Sequence, residues 1–131
     1  MNWEELNNMN QVALIGRLTK DVELRYAQSG TAVANFTIAV DRKFQKQGEE
    51  RQADFIPIVT FGKTAEFCNN YFTKGLRVGV TGSIQTRTWT DNENKKHYAT
   101  EVLADGVDFA DGKSSSGGNK PTTSEDEEFE L

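Results

Sequence analysis

Four aromatic residues, Phe44, Phe55, Phe61 and Trp89, are interleaved along the sequence with the cations Arg17, Arg42, Lys43, Lys63, Lys74 and Arg87. Rings that stand clear of a core offer π-faces on which nucleobases stack, and cations between them meet phosphates; because every base has such a face, the chemistry tolerates any sequence. Strand parity supports this use of the rings. Phe55 and Phe61 are six positions apart and share a face, while Ile56 and Ile58 occupy the opposite one. A strand that is apolar on both faces needs only one for the core, so the other must be covered or must bind something. Further on, Val78, Val80 and Ile84 share one parity and Thr81, Gln85, Arg87 and Trp89 the other, which places Trp89 on a polar side beside a cation. Phe44 follows Asp41-Arg42-Lys43, where its strand has left the core. The competing reading is that each ring is ordinary core or packs beneath a loop, with the cations on a solvated face.

Catalytic chemistry finds little support. His97 is the only histidine and falls at the end of a polar loop, where solvation is expected. The single cysteine, Cys68, fits the inner face of a helix, and no histidine pairs with it. Ligand groups with zinc spacing are absent, so no metal and no cofactor are expected. Gly79 and Gly82 do not form a phosphate loop, because no helix follows them.

The elements that must position these side chains follow from periodicity. Strands are predicted over residues 11–18, 32–44, 53–61, 77–89 and 98–109, with Ala34, Phe36, Ile38 and Val40 alternating against Asn35, Thr37 and Asp41 in the second. Between the third and fourth, Ala65, Cys68 and Phe72 recur at helical spacing, with Thr64 as the expected cap and Gly75 as the expected left-handed residue closing the helix. Five strands with one short helix between the third and fourth is the order of an all-β oligonucleotide-binding barrel, although a two-layer α+β sheet shares it. Pro57 fits poorly, since a proline in a strand lacks a ladder donor.

Charge divides the 131 residues further. The net charge of −5 is unevenly spread: residues 9–109 carry 13 Lys and Arg against 12 Asp and Glu, whereas residues 110–131 carry 2 lysines against 6 acids. A basic groove on the barrel is therefore compatible with an acidic protein. The chain is expected to divide into an extension over residues 1–8, a barrel over 9–109, a flexible linker over 110–124 rich in Ser and Gly, and a tip of Glu125, Asp126, Glu127, Glu128, Phe129, Glu130 and Leu131. The tail buries too little apolar surface to offset its ordering entropy and is expected to be disordered. No apolar segment suggests export or a membrane, so the expected location is the reducing cytoplasm.

The stretch Asn10-Gln11-Val12-Ala13-Leu14-Ile15-Gly16-Arg17-Leu18, with Arg25-Tyr26, Ala32-Val33-Ala34-Asn35-Phe36, Phe61-Gly62-Lys63, Ala65-Glu66, Tyr71, Lys74-Gly75 and Thr86-Arg87-Thr88-Trp89-Thr90-Asp91, resembles the bacterial and phage single-stranded DNA-binding protein family. The resemblance implies an oligonucleotide-binding fold, a homotetramer, binding of single-stranded DNA in replication, recombination and repair, and no enzymatic activity. It places Phe44, Phe55, Phe61 and Trp89 at stacking positions, with phenylalanine at positions 44 and 55 where well-known members carry tryptophan. Tyr71, Lys63, Lys74 and Arg87 fall at further DNA-contacting positions. The tip implies docking to replication and repair proteins, although Phe129-Glu130-Leu131 lacks the closing proline and phenylalanine usual in the family. Two other classes remain: a barrel that serves as a protein-interaction subunit, and a nuclease, which would need clustered carboxylates on the barrel.

Overall fold

The computed structural model describes residues 8–44, 48 and 50–111. The expected extension over residues 1–8 (apart from Asn8), most of the linker and the whole acidic tip lie outside the described residues.

Among the described residues six strands and one helix follow in the order β1 (Val12–Leu18), β2 (Glu23–Tyr26), β3 (Ala32–Asp41), β4 (Ala53–Phe61), α1 (Gly62–Tyr71), β5 (Arg77–Thr90) and β6 (Lys96–Phe109). They form a single sheet ordered β1-β5-β6-β4-β3-β2, and β1 also pairs with β3, which closes the sheet on itself. The barrel is thus made of the five expected strands. The sixth, β2, replaces part of the turn-rich connection expected before residue 32; it is a four-residue hairpin partner of β3, with Leu24 opposite Ala34.

Two antiparallel halves, β1-β5-β6 and β2-β3-β4, meet along two short seams. One is the antiparallel pairing of Arg17 with Ala39 and Leu18 with Ile38. The other is parallel, Ile58 with Val102 and Val59 with Leu103. Inside lie Leu18, Phe36, Ile38, Ile58, Val78, Val80 and Val102, and Cys68 and Phe72 from α1 and its exit fill the end. Gly16 permits the close crossing at the first seam, where a Cβ would lie 2.6 Å from the Ala39 carbonyl oxygen.

Pro57 proves compatible with its strand. The Thr37 carbonyl accepts from the Thr19 amide (2.9 Å), so Thr37 turns its polar backbone away from β4. Pro57, opposite Thr37, is then in a non-hydrogen-bonded pair, and its backbone nitrogen points to the other side. There β6 pairs with β4 only at Ile58 and Val59, so no ladder donor is lost.

The helix differs from expectation at both ends. It begins after Phe61, which makes no side-chain cap, so Thr64 lies within the helix and caps nothing. It ends at Tyr71, with the Phe72 amide bonded to the Cys68 carbonyl. Gly75 is left-handed, at φ +88°, but belongs to the following turn, where its amide donates to the Leu18 carbonyl (2.9 Å). The second core strand also stops at Asp41, short of Phe44, although the Arg42 amide still reaches the Gln52 carbonyl (2.9 Å).

Beyond the barrel, β5 and β6 continue as a two-stranded arm of six residue pairs, from Gln85 with Glu101 to Thr90 with Lys96. At the rise of an antiparallel strand this spans about 20 Å. Ile84 therefore does not join Val78 and Val80 in the core; it is half exposed where the arm departs. The Asn10 side-chain amide brackets its backbone there, donating to the Ile84 carbonyl and accepting from its amide, both at 2.8 Å. Just below, a register shift at Thr81/Gly82 leaves Asp105 unpaired, and Gly82 lies so close to β6 that a Cβ would meet the Leu103 carbonyl at 2.1 Å.

Candidate nucleic-acid interface

Register decides which side chains share a surface. Val59 lies opposite Leu103 across the parallel seam, so both project from the same face. Alternation carries that face along β4 through Phe55, Pro57 and Phe61, and along β6 through Glu101, Ala99 and His97. The antiparallel pairs Gln85 with Glu101, Arg87 with Ala99 and Trp89 with His97 extend it onto β5. Phe55, Phe61, Arg87 and Trp89 thus stand on one outer face spanning three strands. Phe55 is 67% exposed and Trp89 43%, and Phe61 is also exposed, so none of the three is ordinary core.

Phe44 emerges at the mouth of the β3–β4 hairpin and is 86% exposed, with the Lys43 ammonium 5.7 Å from the ring centre. Tyr71, also exposed, closes α1 and packs on Phe67 at 4.9 Å between ring centres. Lys74 follows in the next turn, its amide held by the Asp21 carboxylate (2.8 Å). Lys63 is exposed on the first turn of α1. Arg17 is partly occupied: Nη1 donates to the Gly75 carbonyl (3.0 Å) and lies 3.6 Å from Asp111. Arg42 is more firmly engaged, forked against Asp54 at 3.0 and 3.3 Å and bonded to Gln52 at 3.0 Å. Both Arg42 and Asp54 are exposed, so the pair contributes little stability and can exchange for a phosphate.

The arm holds the most organised part of the face. The Arg87 guanidinium carbon lies 4.7 Å from the centre of the Trp89 ring, and its Nε donates to Glu101 (3.2 Å). Glu101 is buried although it projects from the outer face, so its carboxylate serves as a fixed anchor for the arginine. On the facing strand the His97 imidazole stacks on Trp89, 5.4 Å between centres and 19° from parallel. Its Nε2–H donates to the Asp91 carboxylate at 2.7 Å. The expectation of a solvated His97 is therefore corrected: the ring is half-buried between a tryptophan and an acid. Asp91 also accepts from the Glu93 and Lys95 amides (2.8 and 2.9 Å), closing the tip of the arm. These bonds, led by that from His97, hold its carboxyl below the usual carboxylate range.

His97, Asp91 and Glu101 were not among the expected site residues. The signal was available: a hairpin turning over residues 91–95 sets position 89 opposite position 97.

The chemistry this arrangement can perform is stacking and charge pairing. Among the described residues no group of three His, Cys, Asp or Glu side chains is placed to hold a metal ion. Burial pushes the Cys68 thiol up to about 11, which leaves it protonated and a poor nucleophile at neutral pH.

A closed, five-stranded barrel with an added edge strand and an outer face of exposed rings defines an oligonucleotide-binding barrel with a stacking surface. Comparison with known proteins carries this further: the single-strand binding protein family matches residues 9–110. The chain belongs to that family. It is 50% identical over 125 residues to a single-stranded DNA-binding protein of Caldanaerobacter subterraneus subsp. tengcongensis, covering 93% of this chain and 83% of the relative. It is 53% identical over 108 residues to single-stranded DNA-binding protein 3 of Clostridium acetobutylicum, covering 82% and 74%. With the single-stranded DNA-binding protein of Halalkalibacterium halodurans the identity is 50% over 113 residues, covering 85% and 67%.

Proposed function

We propose that the chain binds single-stranded DNA without sequence preference and without catalysing a reaction, protecting it during replication, recombination and repair. The observation that carries this reading is the register that sets Phe55, Phe61, Arg87 and Trp89 on one exposed face of the sheet. Bases stack on these rings and on Phe44 and Tyr71, while Arg87, Lys43, Lys63, Lys74, Arg17 and Arg42 meet the phosphates that pass between them. The relatives' names and the family support the same ligand.

Three finer statements belong to the proposal. The working form is a homotetramer; the half-exposed Ile15, paired with Gly79 on the outer face of the barrel, supplies apolar surface suited to a second copy. The acidic tip from Glu125 to Leu131 recruits replication and repair proteins, its acids steering toward a basic pocket and Phe129 or Leu131 anchoring. The protein works in the cytoplasm; no helix among the described residues is long and apolar enough to cross a membrane.

Titration with poly(dT) and with duplex DNA tests the central claim. Strong binding to poly(dT) alone is expected; equal binding to both contradicts it, and binding to neither favours the protein-interaction subunit.

A further inference from the structure

Trp89 is not held by its own strand alone. Its ring lies parallel to the His97 imidazole across the arm, and His97 is fixed by Asp91, which also ties down the turn through the Glu93 and Lys95 amides. We propose that His97 is a positioning residue for the stacking ring of Trp89 and that its protonation strengthens capture of single-stranded DNA by the arm. This rests on the stacking role of Trp89 given above.

The chemistry follows from the two ring nitrogens. In neutral His97, Nε2–H donates to Asp91 and Nδ1 is an acceptor, which repels phosphate oxygens as neighbours. On protonation Nδ1 also becomes a donor, and the ring gains a positive charge beside a face that already holds Arg87. The pair with Asp91 becomes an ion pair in the same geometry, so the imidazole stays parallel to Trp89 rather than swinging into water. The charged groups nearest it are Asp91 from the turn, Arg87 from β5 over the same indole, and Glu101 farther along β6. Glu101 is engaged by Arg87, so Asp91 is the acid in direct contact with the imidazolium. Histidine changes charge between about pH 5 and 8, a range in which thymine and the phosphodiester do not titrate.

The test uses the full chain carrying Trp3→Phe, which leaves Trp89 as the sole tryptophan, read by selective excitation of the indole. An oligo(dT) probe is titrated at about pH 5.5 and about pH 8, the limits set by the histidine range, over a series of salt concentrations. Affinity is expected to be several-fold higher at the lower pH, with a salt slope steeper by up to about 0.7, the value of one added phosphate contact on a single strand. Fluorescence of the free protein should differ between the two conditions. His97→Gln should remove both pH dependences, and His97→Arg should restore the steeper slope at both pH values. A His97→Gln protein that keeps the parent's pH profile overturns the inference, as does a His97→Arg protein that binds no better than His97→Gln. A Trp89→Ala protein that binds oligo(dT) undiminished overturns the stacking reading instead; weakened binding by Trp89→Ala, with the His97→Gln profile unchanged, refutes this inference alone.

Discussion

Trp89 and Phe55 owe their exposure to different circumstances, and substitution should reveal it. Phe55 projects from a barrel strand whose opposite side, at Ile56 and Ile58, meets the core. Trp89 lies on the arm, touching only Arg87 and His97 among the described aromatic and cationic contacts. Trp89→Ala and Phe55→Ala should each weaken binding of a short oligo(dT) by about 1–3 kcal/mol, the value of one base stack. Thermal unfolding should move little in either case. A large fall in melting temperature with unchanged affinity per folded molecule would show that the rings serve the core. These positions could be read from the sequence because parity is a local property: alternation sets Phe55 opposite Ile56 and Ile58, and Trp89 opposite Val78 and Val80. That the two faces are one could not be read locally, since it depends on Val59 meeting Leu103 across the barrel. His97 escaped notice because its partners lie across a hairpin rather than beside it in sequence.

At the scale of elements, the tip of the arm is closed by two backbone bonds, Asp91 amide to Lys95 carbonyl and Asn94 amide to Asp91 carbonyl, and by three more gathered on one carboxylate. Asp91 accepts from His97, Lys95 and Glu93, and its pKa is held below the ordinary value. A carboxyl with a depressed folded pKa contributes stability that is complete above its unfolded value, about 3.9, and is lost as pH falls through the folded one. The temperature coefficients of the Glu93 and Lys95 amides should therefore stay those of hydrogen-bonded groups well into mild acid and change only below the usual carboxylate range. Asp91→Asn should change them already at neutral pH. The arm itself was legible as two strands about a turn. The short β2 was not, because Glu23-Leu24-Arg25-Tyr26 is too brief to display alternation. The end of β3 was overrun for a related reason: Arg42 still bonds across the hairpin, but residues 42–44 contribute nothing to the core.

For the whole molecule, the uneven charge along the chain sets the response to salt. The chain carries five acids in its last seven residues, which on the proposed function would compete with phosphates for the cations of the barrel. The attraction is screened within about 10 Å at 0.1 M salt. Removing residues 125–131 should raise affinity for oligo(dT) modestly at low salt and hardly at high salt; an equal gain at both would assign the effect to something other than charge. A pull-down from host lysate with and without these residues tests recruitment, since recovery of the same replication and repair proteins by both would exclude the tip as the docking element. The two seams of the barrel have a consequence of a different kind. Each joins the halves through only two residue pairs, whereas β5 and β6 are laced together along nearly their whole length. Closure also brings together segments distant along the chain, which makes it slow and costly in loop entropy. The barrel should then breathe like a clamshell, its halves parting before either unravels. Amide hydrogen exchange under native conditions should release the seam amide of Val59 well before those of Val78 and Val80, so that the wall of the binding face is also the line along which the molecule first opens.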